Sequence, residues 1–288
     1  MNGVLNVYKP CGMTSFDVVR RVKKICKIKR VGHTGTLDPL ASGVLPICIG
    51  NSTKIVDYIM NENKIYIATM KLGIVTDTYD REGKVIHENP VNIDENSVIN
   101  CIKSFHGEID QIPPMYSALK VNGKRLYELA REGIEVERKS RKVHIYSMDI
   151  LDINMPFVTF KVECSKGTYI RSLCYDMGKN LGVGGSMWSL ERTKTGIFAI
   201  ENSVNIEDLN EDNVQDYIIP MDKALFKYNA INMDKRYEIL LLNGATLTNK
   251  YVLQNIDENI ILRVYIENRF IGLGKRTAEG FKILKLLV

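Results

Sequence analysis

The stretch that most restricts what this chain can fold into is GHTGTLDPLASGVLP, residues 32–46. Three glycines and two prolines interrupt it, so neither a plain helix nor a plain strand can run through it. Pro39 withholds an N–H and biases Asp38 toward extended backbone angles. One carboxylate is therefore set in a loop of narrow conformational choice. The apolar run from Val44 to Ile49 reads as a buried strand that can hold this loop rigidly, and rigidly held loops are where catalytic groups concentrate. An aspartate before a proline is by itself usually a turn residue. The glycines around it, with His33, Thr34 and Thr36, favour a working role here.

The rest of the chain supplies the frame. Residues 3–8 read as a short strand. Thr14 and Asp17 have capping-box spacing before Val18, Val19, Val22 and Ile25, which predicts an amphipathic helix. Its other face carries a dense cluster of charge. Arg20, Arg21, Lys23, Lys24, Lys27, Lys29 and Arg30 fall within eleven residues with no acid among them. The net charge of +5 is mild, so this clustering beside the Asp38 loop is what suggests a phosphate-facing patch. A short helix is expected at 51–58 and a long strand at 64–74, followed by a polar turn at 76–83. Asp94 can cap a helix that carries Val98, Ile102 and Phe105. Pro113 and Pro114 keep residues 111–118 extended and stiff, suited to lining a groove.

A short helix is read at 123–133, stopped by Gly133. It lies within a second basic region formed by Lys120, Lys124, Arg125, Arg131, Arg138, Lys139, Arg141 and Lys142. Strands follow at 143–153 and 157–164. Residues 167–171 then open a helix whose apolar stripe is Ile170, Leu173, Cys174, Met177 and Leu181, with Arg171 off the stripe near its start. No element is read at 183–199, and 205–228 reads as an acidic connector. Beyond it, a helix near 234–242, strands at 251–254, 260–266, 270–273 and 281–287, and a basic turn at 272–276 make a small β-rich module. The class is α+β, a mixed or antiparallel sheet core with a small C-terminal domain.

Several chemistries find no support. No apolar run reaches the roughly 18 residues of a membrane helix, and the N-terminus lacks signal-peptide features. A cytoplasmic protein with no membrane partner is expected. The six cysteines form no C-x-x-C pair and the four histidines are scattered, so reduced core cysteines are expected and no metal site. Phosphate-cradling and dinucleotide-binding glycine loops are missing, as is a G-x-S-x-G elbow. An aspartate in a rigid loop, a strand tyrosine, a helix-start arginine and basic surfaces remain. That set suits cofactor-free work on a nucleic acid.

Four separated motifs resemble the TruB family of tRNA pseudouridine synthases, which modify the T-loop uridine at position 55. They are KPCGMTS (9–15), GHTGTLDPLASGVLPICIG (32–50), KIYIATMKLGIVTDTYD (64–80) and GTYIRSL (167–173). QIPPMYSALKVNGKRLYELAREG (111–133) resembles that family's RNA-gripping insertion. The resemblance implies a catalytic domain at 1–228, with the insertion at about 107–142, and a PUA-like RNA-binding domain at 229–288. It implies that Asp38 attacks the ribose or the base, which of the two being left open. Tyr66 would stack on the flipped uracil and serve as base at C5, and Arg171 would pair with Asp38. Asp80, Tyr169 and Leu190 would shape the pocket. His33 would fill the gap left by the flipped base, and Lys9 would support the loop. No cofactor, guide RNA or obligatory protein partner is implied; tRNA, held by its T-arm, is the partner, and a monomer is expected.

The physics agrees with these roles. A buried aspartate tends to become neutral, and a guanidinium can keep it ionised and oriented. Flipping a base costs a few kcal/mol, offset by stacking and phosphate contacts. A closed, dry pocket would keep the detached uracil from escaping. Two rivals are a non-catalytic RNA-binding protein and a guide-dependent pseudouridine synthase.

Overall fold

The strand Lys64–Leu72 runs through the middle of the molecule. In the computed structural model, which describes residues 1–121 and 123–288, its Lys64, Tyr66, Ala68, Met70 and Leu72 side chains are buried on one face. The alternate residues on the other face are half-buried, which explains why bulky residues appear at consecutive positions. Gly73 has φ +83 and ends the strand, because few other residues tolerate that angle.

Among the described residues, eleven strands share one sheet. The order is Val204–Asn205, Gly3–Lys9, Ser42–Ile49, Gly185–Thr195, Lys64–Leu72, Phe157–Cys164, Arg141–Asn154 and Gly107–Gln111. Val31–His33, Phe198–Ala199 and Ile218–Ile219 pair at its margins. Along this order, neighbours are antiparallel except for Gly3–Lys9 with Val204–Asn205 and Ser42–Ile49 with Gly185–Thr195. The sheet is thus mixed, and the α+β class holds.

Helices Ser15–Cys26, Glu95–Ser104 and Ile170–Asn180 bury apolar faces in the same core, through Val18 and Val22, Val98 and Ile102, and Leu173 and Met177. The Thr14–Asp17 capping box forms, and Asp94 caps the second helix. Arg20, Arg21 and Lys24 remain on the exposed face of the first.

A second sheet follows the order Ala230–Met233, Ile261–Ile266, Arg269–Thr277 and Gly280–Leu286. It has an apolar core of its own around Val264, Ile271 and Phe281. Leu273 and Leu287 also join Val4, Val44 and Cys48 in an apolar seam between the two sheets.

Four readings from the sequence change. Residues 183–199 contain a central strand, Gly185–Thr195. Residues 250–253 are helical, not extended, because the Asn249 side chain caps that turn. Residues 272–276 lie inside the strand Arg269–Thr277 and do not turn. The helix read at 123–133 covers only Leu126–Arg131; Lys120–Val121 and Lys124–Arg125 pair ahead of it, and Asn122 lies outside the described residues. The acidic connector is also more than a link, since Val204–Asn205 and Ile218–Ile219 both pair with the first strand.

Candidate active site

The Asp38 loop is braced from several directions. Ala41 N–H donates to the Asp38 carbonyl at 3.0 Å, closing a turn around Pro39. Gly12 N–H donates to the Pro39 carbonyl at 2.8 Å. Ser15, at the start of its helix, uses one hydroxyl twice: it donates to the Leu37 carbonyl at 2.9 Å and accepts from the Leu37 N–H at 2.8 Å. Lys9 lies beneath at 0% exposure, with its Nζ donating to the carbonyls of Pro10 at 2.9 Å and Met13 at 2.7 Å. Burial lowers its pKa to about 8. Lys9 thereby fixes the segment on which Gly12 and Ser15 grip the loop.

Arg171 faces this loop from the helix Ile170–Asn180. Its Nη2 lies 2.9 Å from Asp38 Oδ2, and its Nη1 lies 3.6 Å from Asp80 Oδ2. The same guanidinium donates to the Thr78 carbonyl at 3.3 Å and the Tyr116 carbonyl at 2.8 Å. Arg171 is off the apolar stripe of its helix, yet only 6% exposed, because these acceptors cover it. Asp80 is itself fixed. Its Oδ1 accepts from Thr78 Oγ1 at 2.7 Å and the Glu82 N–H at 3.1 Å, in a turn where Tyr79 has φ +63. That turn is tied to the strand Gly185–Thr195 through Met187, whose N–H donates to the Tyr79 carbonyl and whose carbonyl accepts from the Arg81 N–H.

One expectation is revised. The Asp38 side chain is 37% exposed, so the loop does not sequester it. Its surroundings are polar on one side and open on another, where a substrate can approach.

Tyr66 is buried on the central strand, directly opposite Arg192 and Val162 in the neighbouring strands. Burial pushes its phenol above the usual range; the Arg192 charge opposes this and the Asp38 carboxylate adds to it. His33 ends the strand Val31–His33, half-buried, and its Nδ1 accepts from the Gly35 N–H at 3.3 Å. Burial and then Arg192 lower its pKa, favouring the neutral ring. Tyr169 precedes Arg171. Its backbone makes two hydrogen bonds with the Gln111 amide, at 2.7 and 3.0 Å, while its ring lies beneath the Arg141 guanidinium. Leu190 is half-buried on the strand Gly185–Thr195, opposite Ala68 of Lys64–Leu72.

Thus Arg171 meets both Asp38 and Asp80, and Lys9 braces the segment beneath the Asp38 loop. Among the described residues, no hydrogen bond joins His33, Tyr169 or Leu190 to Asp38 or Arg171. The sequence reading gave no part to Ser15 or Arg192, although both touch the Asp38 loop or its ends. Ser15 was already marked as a helix start by the capping box. Arg192 had no such signal. The insertion reaches the site as well: besides Tyr116 on Arg171, the Ile112 carbonyl accepts from Ser172 Oγ at 2.8 Å.

A family profile described as the TruB family pseudouridylate synthase N-terminal domain matches residues 23–170, and one described as the tRNA pseudouridylate synthase B C-terminal domain matches residues 171–226. The chain is 64% identical to tRNA pseudouridine synthase B of Clostridium tetani over 289 residues, covering 100% of both. It is 59% identical to the protein of the same name in Clostridium acetobutylicum, again covering 100% of both. Among solved structures it resembles a chain in a Cbf5–Nop10–Gar1 complex, with TM-score 0.76 and 28% identity over 99% of this chain and 85% of that one. It also resembles a chain of an H/ACA RNP bound to a substrate RNA containing 2′-deoxyuridine, with TM-score 0.75 and 26% identity over 99% and 85% of the two chains.

Proposed function

The chain belongs to the TruB family of pseudouridylate synthases, and we propose that it converts the T-loop uridine at position 55 of tRNA to pseudouridine, with Asp38 as nucleophile. The observation that carries the proposal is the Arg171 guanidinium bound to Asp38 and near Asp80. A guanidinium in that position holds the carboxylate by a charge-assisted hydrogen bond and aims it. Asp38 attacks C1′ of the ribose or C6 of the base, forming a C–O bond; the N1–C1′ bond breaks, the uracil turns, a C5–C1′ bond forms, and the bond to Asp38 breaks, which returns the free carboxylate. The C5 proton leaves to a base, for which Tyr66 is the candidate, and N1 gains a proton. Product and substrate have the same atoms, so the reaction needs no oxidant, reductant or co-substrate.

The target base must leave its stack to reach the carboxylate. The Tyr66 ring offers it a surface, Tyr169 and Leu190 shape the pocket, and His33 fills the gap in the RNA. Residues 1–228 carry the catalysis, with the insertion at 107–142 gripping RNA, and residues 229–288 form a PUA-like RNA-binding domain. The exposed face of the helix Ser15–Cys26 and the basic residues of the insertion meet phosphates, since folded RNA is read largely by shape and backbone.

A second reading is favoured by one observation: both structural relatives described above come from larger assemblies. A guided enzyme would need other proteins and a guide RNA. Purified chain incubated with unmodified tRNA, followed by pseudouridine mapping, separates the two. Modification at position 55 by the pure chain is expected; an inert chain, or one active only with added guide and partners, overturns the unguided reading. Asp38→Asn is expected to lower the rate by at least ~10³-fold while tRNA affinity stays within ~3-fold. Continued turnover would remove Asp38 from its role.

A further inference from the structure

Arg192 stands out among the groups that the mechanism above leaves unused. It is 1% exposed and heads the set of largest fully buried side chains. Its Nε donates to the Val44 carbonyl at 2.7 Å and its Nη2 to the Gly35 carbonyl at 3.2 Å. Those carbonyls flank residues 36–43, the segment that holds Asp38. One guanidinium therefore grips both ends of the nucleophile loop. The backbone of Arg192 adds a third constraint. Gly43 lies opposite it in parallel register, so close that a Cβ at Gly43 would sit 2.3 Å from the Arg192 carbonyl oxygen. On its other edge, Arg192 pairs with Tyr66 in antiparallel register, which puts the two side chains on one face with Cβ atoms roughly 4.5–5.5 Å apart. The strand bulges at the next step, between Arg192 and Lys194, and bulges commonly re-aim a side chain beside a site.

The electrostatics are unusual. Among the described residues, no carboxylate lies within ion-pair distance of Arg192. Its charge acts on Lys9, His33, Lys64, Tyr66 and Cys164. A buried cation without a counter-ion, beside two buried lysines, is costly to fold around. Two carbonyl dipoles offset only part of that cost. Structural packing alone would be served better by an apolar side chain.

Resting on the reading of Asp38 and Tyr66 given above, we propose that Arg192 is a positioning residue for the isomerisation: it locks the Asp38 loop at both ends and sets that loop in register with Tyr66. Arg171 then orients the carboxylate from above, while Arg192 fixes the backbone that carries it. A lysine at 192 would keep the charge but has no planar fork, so it cannot span both carbonyls.

The test uses the full chain, with Arg192→Lys as the main variant and Arg192→Met as the second. Rates are measured with enzyme in excess over tRNA, and tRNA affinity separately. Arg192→Lys is expected to slow pseudouridine formation by ~30-fold, and Arg192→Met by ~10²-fold or more, with affinity within ~3-fold in both. Amide hydrogens of residues 36–43 are expected to exchange ~10-fold faster in Arg192→Lys, with the rest of the sheet unchanged. A rate within threefold of the parent overturns the inference. So does a loss seen only as weaker tRNA binding or a smaller active fraction, because either marks general destabilisation. Exchange that is unchanged in the loop also overturns it. An unsubstituted chain that makes no pseudouridine sinks the parent reading and this one together; an active parent with an equally active Arg192→Lys sinks this one alone.

Discussion

Arg171 divides one guanidinium among the carboxylates of Asp38 and Asp80 and the carbonyls of Thr78 and Tyr116. Such a division needs several donors in a fixed plane, which an ammonium lacks. Arg171→Lys should therefore lower the single-turnover rate by ~10²-fold while leaving tRNA affinity nearly intact. A variant within threefold of the parent would show that charge alone suffices. At this scale the sequence was informative where a motif carried the residue and silent where only geometry did. Asp38, Tyr66, Asp80 and Arg171 were named from motifs. Arg192 was not, because its importance comes from two carbonyls, 148 and 157 positions away in the chain. The openness of Asp38 was also not legible, since solvent access depends on what fails to pack over the loop.

The helix Ser15–Cys26 was readable in advance because its signals are local: a cap, an acid three residues on, and apolar residues at helical spacing. Its basic face is exposed as expected, although Arg20 pairs with Asp17, Arg21 donates to the Glu207 carbonyl, and Lys27 pairs with Glu211. Replacing Arg20, Arg21 and Lys24 by Glu should weaken tRNA binding and flatten its dependence on salt, by about one unit of log–log slope for each phosphate no longer neutralised. An unchanged slope would move the helix away from the RNA. The strand Gly185–Thr195 was unreadable for a physical reason. Its two bulges, between Met187 and Ser189 and between Arg192 and Lys194, break the two-residue alternation that marks a strand. The helix Lys250–Leu253 is too short for helical spacing to register.

Across the whole molecule, the reduced cysteines make alkaline stability predictable. Cys48 is fully buried in the seam between the sheets, and burial pushes its thiol up to about 12. An unfolded thiol loses its proton near 8.5. Above that pH the unfolded chain binds fewer protons than the folded one, so stability falls as pH rises. Urea unfolding should show the parent losing about 2 kcal/mol more than Cys48→Ala between pH 8.5 and 10. Equal losses would mean that this thiol does not titrate on unfolding. The fold class and the β-rich C-terminal region were legible from pattern and spacing. The pairing of the first strand with residues 204–205 and 218–219 was not, since nothing local marks a pairing between such distant segments. That long-range wiring bears on how the protein is made. The strand carrying Arg192 slots between Ser42–Ile49 and Lys64–Leu72, segments synthesised well before it. During translation those two wait, unjoined, for their late neighbour. A nascent chain cannot set its Asp38 loop on a finished scaffold until about two-thirds of it has left the ribosome, so truncated products are born without a complete sheet beneath that loop.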